Sequence, residues 1–332
     1  MINLLFYQCP LDERPLNEYP LKHIKPLSKL CVLALSLILG NSSLAQDEPF
    51  IHILGVVQDA GYPQAGCYAP HCMPGWEDSS LHRGATTIAV VDPVARTKYL
   101  FEATPQMPEQ LYELAKIAPD SDYRFRGVFL SHAHVGHYTG LMYFGREAMN
   151  ADRVPVFAMP RMREFLQNNA PWNQLLELNN IALRYLNNYQ TEPLENVNVT
   201  PLLVPHRDEL SETVGFLIFG PTRTALFIPD INKWELWDRN IVDEIANVDY
   251  ALLDATFFDG DELPGRDMSE IPHPFVVESM TLFDSLPATE KDKIWFIHMN
   301  HSNPLLNSES EAYRRVTEAG YHVAREGVRL GL

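Results

Sequence analysis

The sequence predicts a layered α/β domain in which helices cover the outside of β-sheets. Apolar, β-branched segments alternate with segments of helical apolar spacing from residue 50 to the end of the chain. No repeat, low-complexity tract or Pro/Gly/Ser-rich linker interrupts this alternation. Elements that interleave in this way pack as layers with the helices outside. The roughly 285 residues that follow a predicted leader are enough for one large domain.

The predicted elements follow from local apolar patterns. Short β-branched, apolar runs predict strands, at residues 50–57, 86–92, 98–102, 126–131, 154–158, 197–205, 213–219, 224–229, 250–254 and 293–298. Longer segments with apolar residues three and four apart predict helices, at residues 107–117, 138–149, 161–168, 234–245, 275–285 and 309–319. The intervening segment 58–84 is rich in Gly, Pro and Cys, which indicates a long loop.

The overall charge disfavours nucleic acid as a partner. The chain has 43 acidic and 26 basic residues, a formal net charge of −17. An acidic chain repels phosphate backbones, so we expect a small-molecule substrate and no nucleic-acid binding. The charge itself requires no explanation beyond solubility. The oligomeric state stays open.

The N-terminal region is typical of a secretory leader. Residues 1–21 are an extension that reflects either a start codon placed too far upstream or a genuine extended n-region of the signal peptide. Residues 22–45 have a basic start, an apolar core at 30–40 that is too short to span a bilayer, and a small-x-small cleavage site ending at Ala45. An uncleaved anchor is the less favoured alternative. We therefore expect residues 46–332 to form a periplasmic or secreted domain without stable membrane insertion.

The most specific motif is a cluster of three histidines after a predicted strand. His132, His134 and His137 follow the apolar run 128–130 with the spacing H-x-H-x-x-H. Neutral imidazole is the commonest protein ligand for zinc-like metals. In an extended segment His132 and His134 project on one face, and His137 can come from the loop or the first turn of the next helix. The pattern predicts a metal site.

Four further polar residues follow other predicted strands, at their C-terminal ends. They are His206, Asp230, Asp254 and His298. Such strand ends are where α/β folds build their sites. Either Asp230 or Asp254 is a candidate proton acceptor for a metal-activated water, or Asp254 orients a ligand histidine. His301 is a candidate proton donor to a leaving group, although a surface-loop histidine is the simpler interpretation.

The cysteine loop permits two interpretations. Cys67 and Cys72 enclose His71 in the sequence GCYAPHC, and the other two cysteines, Cys9 and Cys31, precede the predicted domain. In an oxidising compartment a disulfide is expected. A small structural zinc site is the alternative.

These motifs resemble the metallo-β-lactamase superfamily, in which the ligand order is the same. Within it, the chain looks like the branch that contains the pyrroloquinoline-quinone biosynthesis B protein and the phosphonate-pathway cyclic phosphodiesterases. The resembling segments are residues 54–72, 101–105, 205–209, 252–257, 266–268 and 298–304. The resemblance covers nearly the whole predicted domain.

The resemblance implies a four-layered αβ/βα sandwich and a metal centre between its two sheets. It implies a first metal held by His132, His134 and His206, and a second held by His137 and His298. Asp230 would bridge the two metals. Zinc is the implied metal, as one or two ions, with iron or manganese as further options.

One position departs from the superfamily pattern. The pattern has an aspartate directly before His137, where this chain has Gly136. Glycine supplies no ligand, so we expect weak binding at the second metal position. Gly136→Asp is expected to strengthen that position if the backbone tolerates a side chain there.

The branch also implies a structural zinc that lies away from catalysis. Its phosphodiesterases hold such an ion with cysteines of this loop and a late histidine. In this chain the corresponding candidates are Cys67, Cys72, His71 and His273.

The function expected from the sequence is an exported metal-dependent hydrolase. A cation held by three histidines keeps an open position for water and lowers the pKa of that water. The substrate is a small ester, lactone, amide or phosphodiester, and the sequence does not select among them. The alternatives are an iron-dependent oxidoreductase related to quinone-cofactor biosynthesis and a non-catalytic metal or small-molecule binding protein.

Overall fold

The structure, a computed structural model, describes residues 48–332. The predicted extension and leader, residues 1–45, lie outside this range. None of the helices within it is long and apolar enough to cross a membrane.

The described residues form two sheets with helices around them. The strands are β1 (Phe50–Gly55), β2 (Thr87–Asp92), β3 (Thr97–Phe101), β4 (Arg124–Phe129), β5 (Val154–Ala158), β6 (Ile181–Tyr185), β7 (Glu192–Pro193), β8 (Asn198–Leu203), β9 (Val214–Phe219), β10 (Thr224–Ile228), β11 (Tyr250–Asp254), β12 (Ile294–Ile297), β13 (His322–Val323) and β14 (Arg329–Gly331). The α-helices are α1 (Met73–Glu77), α2 (Met107–Ile117), α3 (Val135–Tyr138), α4 (Pro160–Asn168), α5 (Trp172–Glu177), α6 (Ile241–Ala246), α7 (Val276–Leu282), α8 (Ala288–Lys291) and α9 (Glu311–Glu318).

Each sheet has seven strands and mixes parallel with antiparallel pairs. The first has the order β14-β1-β2-β3-β4-β5-β6, with β3 to β6 parallel. The second has the order β13-β12-β11-β10-β9-β8-β7, with β10 to β13 parallel. This arrangement confirms the αβ/βα sandwich that the resemblance implied.

The main core contains side chains from both sheets. Phe101 of β3 stacks on Phe129 of β4 at a ring distance of 4.7 Å, and it meets Phe216 of β9 edge-on at 5.2 Å. The alternate residue Leu100 lies in a second core with α2 and α4. Burying a large apolar side chain contributes about 1.5–3 kcal/mol. Alternate residues of β3 face opposite sides of the sheet and enter different cores. The first sheet therefore lies between two apolar layers.

Most predicted elements occur where the sequence places them, and the bounds of α2, β5 and β11 match. The predicted helix 138–149 is wrong in extent. The segment instead forms the short α3 and a 3-10 helix over Thr139–Phe144. Gly140 explains the break, because its N–H donates to Ala103 O at 2.9 Å and a Cβ there would lie 2.3 Å from Thr104 O.

The predicted helix 234–245 is also wrong in extent. It divides into a 3-10 helix, Trp234–Leu236, and α6. Asn240 causes the division, because its side chain accepts the N–H of Val242 at 2.9 Å and caps a new helix start. The sequence patterns missed α1, α5, α8 and the strands β6, β7, β13 and β14, which are short or lie at sheet edges.

Candidate metal centre

The histidine cluster lies in the loop that joins β4 to α3. β4 ends at Phe129, so His132 and His134 lie beyond the strand and not within it, and His134 directly precedes α3. His137 lies in α3, which is one of the two positions that the spacing allowed, and its N–H donates to His134 O at 2.9 Å. This tight turn brings three imidazoles together, and those of His132 and His137 are buried.

The first group of ligand atoms comprises His132, His134, His206 and Asp230. Nδ1 of His134 lies 2.8 Å from Nε2 of His132 and 3.3 Å from Nε2 of His206. Oδ2 of Asp230 lies 3.3 Å from Nε2 of both His132 and His206. Zinc bound tetrahedrally by nitrogen at about 2.0–2.1 Å would separate its ligand atoms by about 3.3 Å. The four atoms therefore have the spacing of one zinc coordination sphere.

The outer nitrogens of this group are held by neighbouring polar groups. Nδ1 of His132 lies 2.8 Å from Oγ of Ser131, and Nδ1 of His206 lies 3.1 Å from Oδ1 of Asn232. Because the amide oxygen of Asn232 only accepts, the proton of His206 is on Nδ1. Partners of this kind fix ring orientation and leave Nε2 free to bind a metal.

The second group comprises His137, His298 and the shared Asp230. Nε2 of His137 lies 3.7 Å from Oδ2 of Asp230. The two outer nitrogens face Glu102 and Thr256: Nδ1 of His137 lies 3.6 Å from Oε2 of Glu102, and Nδ1 of His298 lies 3.0 Å from Oγ1 of Thr256. No sequence pattern assigned a role to Glu102, although it lies in one of the resembling segments.

Buried atoms without hydrogen-bond partners indicate that these residues fit a metal. Within the described range, both ring nitrogens of His137, Nε2 of His298 and Oδ1 of Asp230 are buried and unpartnered. Leaving such an atom unpaired costs about 1–3 kcal/mol. A divalent cation accepts imidazole nitrogen and carboxylate oxygen together, so one species would satisfy atoms from three residues. The donor chemistry thus supports a metal-binding cluster of histidine and aspartate.

The pKa directions fit the same assignment. Burial lowers the pKa of His132 well below its usual value and that of His298 to about 4, so both rings are neutral. Burial would raise the pKa of Asp230, but His206 and His273 hold it well below its usual value. Burial would lower the pKa of His137, but Glu102 and Asp230 raise it to about 9. Metal binding at His137 must therefore release a proton near neutral pH.

His273 lies in this centre and not at the cysteine loop. Its Nδ1 lies 2.8 Å from Oδ2 of Asp254 and 3.2 Å from Oδ1 of Asp230. The prediction that His273 joins Cys67 and Cys72 in a zinc site is therefore wrong. His273 lies in a segment without regular secondary structure, so no local sequence pattern could predict its position.

Asp254 is completely paired. It accepts the N–H of Ile231 at 3.1 Å and, from Thr256, the N–H at 2.8 Å and the Oγ1 hydroxyl at 2.7 Å, in addition to the ring N–H of His273. Asp254 is fully buried. Of the two roles that the sequence left open, this geometry favours the orientation of a histidine over proton transfer to a substrate.

The two cysteines of the loop form a disulfide. Sγ of Cys67 and Sγ of Cys72 are bonded at 2.09 Å. Nε2 of His71 lies 3.5 Å from Sγ of Cys67, and the ring of His301 lies 5.5 Å from that of His71. The late histidine beside this loop is therefore His301, not His273. Sulfurs that are joined in a disulfide are not the thiolates that a zinc site requires.

A cavity of about 290 Å³ lies beside the metal-binding groups. Its wall includes His273, Asp59, His301 and two arginines, Arg207 and Arg266. Nδ1 of His301 lies 3.0 Å from Oδ1 of Asn300, which holds the ring at the cavity rim. Within residues 48–332 neither arginine forms an ion pair.

The comparisons with known proteins agree with this architecture. The profile of the Beta-lactamase superfamily domain matches residues 97–299, which is more than half of the chain. Coenzyme PQQ synthesis protein B of Pseudomonas fluorescens (strain Pf0-1) is 24% identical over 310 residues, which cover 85% of this chain and 100% of that protein. The same protein from Methylococcus capsulatus is 25% identical over 317 residues, which cover 85% of this chain and 99% of the relative.

Two solved structures share the fold. Zn(2+)-bound PqqB from Methylobacterium extorquens superposes with a TM-score of 0.69 at 21% identity and covers 85% of this chain and 100% of its own. A diphosphatase from the PhnP family superposes with a TM-score of 0.59 at 18% identity and covers 86% and 97%. At these identities the likeness establishes the fold alone.

Proposed function

Because the chain belongs to the metallo-β-lactamase superfamily, we propose that it is a metal-dependent hydrolase of small anionic substrates, with phosphodiesters as the first class to test. The observation that carries the substrate class is the pair of arginines, Arg207 and Arg266, in the cavity beside the metal-binding groups. Guanidinium groups bind phosphate and carboxylate oxygens in matched geometry. Neutral lactones, esters and amides present no negative charge to such a pair.

The metal-binding residues form two groups, one for each of two metal positions. His132, His134 and His206 would hold one ion, His137 and His298 the other, and Asp230 would contact both. Zinc fits this donor set. When bound, it would supply Lewis acidity and a water activated near neutral pH.

His273 is the residue that we propose to carry a proton on the cavity side. Asp254 fixes its Nδ1 at 2.8 Å, which leaves Nε2 as the nitrogen available to a substrate. The ring is buried but contributes to the cavity wall. His301 is a second histidine in that wall, and its contact with His71 places it nearer the cysteine loop.

Arginine substitutions test the substrate class. Arg207→Ala and Arg266→Ala are expected to lower kcat/KM for bis(p-nitrophenyl) phosphate by about 10–100-fold, since a hydrogen bond to a charged group contributes about 1.5–3 kcal/mol. Hydrolysis of p-nitrophenyl acetate, which has no charge, should change little. Arg146→Ala, at an exposed arginine paired with Glu147, is the matched control. An equal loss with both substrates, or no loss with either, would contradict the anionic substrate class.

An iron-dependent oxidoreductase is the second candidate. The similarity to coenzyme PQQ synthesis protein B over 85% of the chain favours it. Three histidines with carboxylates bind Fe(II) as well as Zn(II). Iron in the protein from its native cells, with a visible or spin signature and no hydrolysis of the phosphodiester, would support this candidate over the first.

Export is part of the proposal, and the Cys67–Cys72 disulfide supports it because disulfides persist in oxidising compartments. We expect the protein in the periplasmic fraction, with Gln46 as its first residue. Non-reducing mass spectrometry of the peptide that spans Cys67 and Cys72 should find the oxidised form, resistant to alkylation until reductant is added. Freely alkylated thiols in protein from the cytoplasmic fraction would contradict both expectations.

A further inference from the structure

The space beside Gly136 is filled by another acidic residue. A Cβ at Gly136 would lie 2.4 Å from Cα and 2.8 Å from Oδ1 of Asp59. The backbone of Asp59 therefore leaves no room for a side chain at position 136. The condition attached to Gly136→Asp, that the backbone tolerates a side chain there, is therefore not met. The carboxylate of Asp59 lies where a side chain of residue 136 would begin.

Backbone contacts place Asp59 next to the second group of ligands. The N–H of Gln58 donates to Met299 O at 2.8 Å, and the N–H of Met299 donates to Val56 O at 2.9 Å. These bonds tie the segment before Asp59 to the residue directly after His298. On the other side, Nε2 of Gln106 donates to Ala60 O at 2.7 Å.

Three residues around the second group have left-handed backbone. The φ angles are 48° for Asp59, 82° for Glu102 and 67° for His298. Left-handed backbone in a residue other than glycine costs about 1–3 kcal/mol and concentrates at functional sites. Two of the three belong to the second group or contact it: His298 is a member, and Glu102 faces His137. Asp59 is the third.

The carboxylate of Asp59 and three ring nitrogens of the second group lack hydrogen-bond partners among the described residues. Among residues 48–332 the carboxylate of Asp59 accepts no hydrogen bond and forms no ion pair. The nitrogens of His137 and Nε2 of His298, which are buried, also lack partners. A carboxylate and imidazole nitrogens that make no hydrogen bond can share a cation.

We propose that Asp59 replaces the aspartate that is absent at position 136 and supplies a carboxylate to the second metal position, together with His137, His298 and Asp230. The inference rests on the metal binding in the proposed function. It changes the expected stoichiometry from a weak second site to two ions. Asp59 lies outside the set whose ligand atoms are all within 4.8 Å of one another. The proposal therefore requires its half-buried side chain, which borders the cavity, to rotate when the second ion binds.

Zinc titration of the full chain tests the proposal. The apoprotein is titrated with Zn(II) in competition with a chromophoric chelator, and its Co(II) form is followed by visible absorption. The original sequence should bind two ions in the centre. Asp59→Asn, which keeps the shape and removes the charge, should bind the first unchanged and weaken the second by at least about 10-fold, the lower bound for losing even an indirect partner.

Two further variants distinguish loss of metal binding from loss of folding. Asp59→Gly suits the left-handed backbone and should fold, yet show the same loss of the second ion. Asp152→Asn changes a carboxylate that is 82% exposed and should retain both ions. Two ions at original affinity in Asp59→Asn and Asp59→Gly would overturn the role of Asp59 and leave the hydrolase proposal intact. A single ion in the original protein at saturating zinc would also overturn it. No zinc in any protein would overturn both proposals.

Discussion

His132→Ala and His206→Ala are each expected to remove most of the metal from the first position while the chain stays folded. Each variant deletes an imidazole whose Nε2 lies close to Nδ1 of His134, at 2.8 Å for His132 and 3.3 Å for His206. Losing only the partner that orients a ligand costs about 10–100-fold in metal affinity. Losing the ligand itself should exceed about 100-fold. Elemental analysis after gel filtration measures the bound metal, and phosphodiester hydrolysis should fall with it.

His322→Ala is the matched control for this prediction. His322 lies on β13, its side chain is 37% exposed, and Nε2 contacts Oδ1 of Asp292 at 2.9 Å. It should keep the original metal content. Thermal unfolding of all three variants separates metal loss from misfolding. Unchanged metal in folded His132→Ala and His206→Ala would remove both residues from the ligand set.

Asp254→Ala is expected to lower the free energy of unfolding by about 3–5 kcal/mol, the range for removing one partner of a buried charged pair. The variant would leave the N–H groups of Ile231 and Thr256 and the ring of His273 without their buried acceptor. The loss should be present in chelator-treated protein, because the bonds that are removed do not involve a metal. Urea unfolding in the presence of chelator measures it.

The control for Asp254 is an exposed aspartate. Asp284 is 88% exposed and lies 3.6 Å from Nζ of Lys291, so Asp284→Ala should change the free energy of unfolding by less than about 1 kcal/mol. A change of that small size in Asp254→Ala would mean that water replaces Asp254 as the acceptor, and that its role in holding His273 is minor.

Local sequence patterns predicted the layered α/β class and the candidate ligands, and the resemblance to the superfamily supplied the four-layered sandwich and the division of the ligands between two metals. Strands with apolar periodicity end at Phe129, Ile228 and Ile297, and the polar residues that follow them meet at one edge of the two sheets. A residue that comes directly after a strand lies at that strand's C-terminal end. His132 and His298 could therefore be assigned to the site from their positions relative to the predicted strands. The H-x-H-x-x-H spacing added the third member, since one tight turn joins its residues.

Asp59 and His273 could not be assigned in the same way. Both lie in long loops, where position depends on contacts with distant segments and not on a local period. Asp59 is located by bonds to residue 299, and His273 by its bond to Asp254. The sequence showed that no acidic residue directly precedes His137. It contained no signal that Asp59, which lies 77 positions before Gly136, could take that place.

For the cysteine loop, the sequence could not distinguish between two kinds of site. A disulfide and a zinc site use the same two residues, and the spacing between Cys67 and Cys72 permits both. The disulfide settles the pairing, and the contact of His71 with His301 identifies the late histidine at this loop. That contact joins residues 230 positions apart, which no short motif can reveal.

Anomalous scattering at the zinc absorption edge, from crystals of the zinc-loaded full chain, is the most direct test of the proposed metal centre. We expect one peak enclosed by Nε2 of His132, Nδ1 of His134 and Nε2 of His206, and a second beside His137 and His298, with Asp230 contacting both. Zinc peaks only at the cysteine loop or on the surface, with these imidazoles still unpaired, would contradict it.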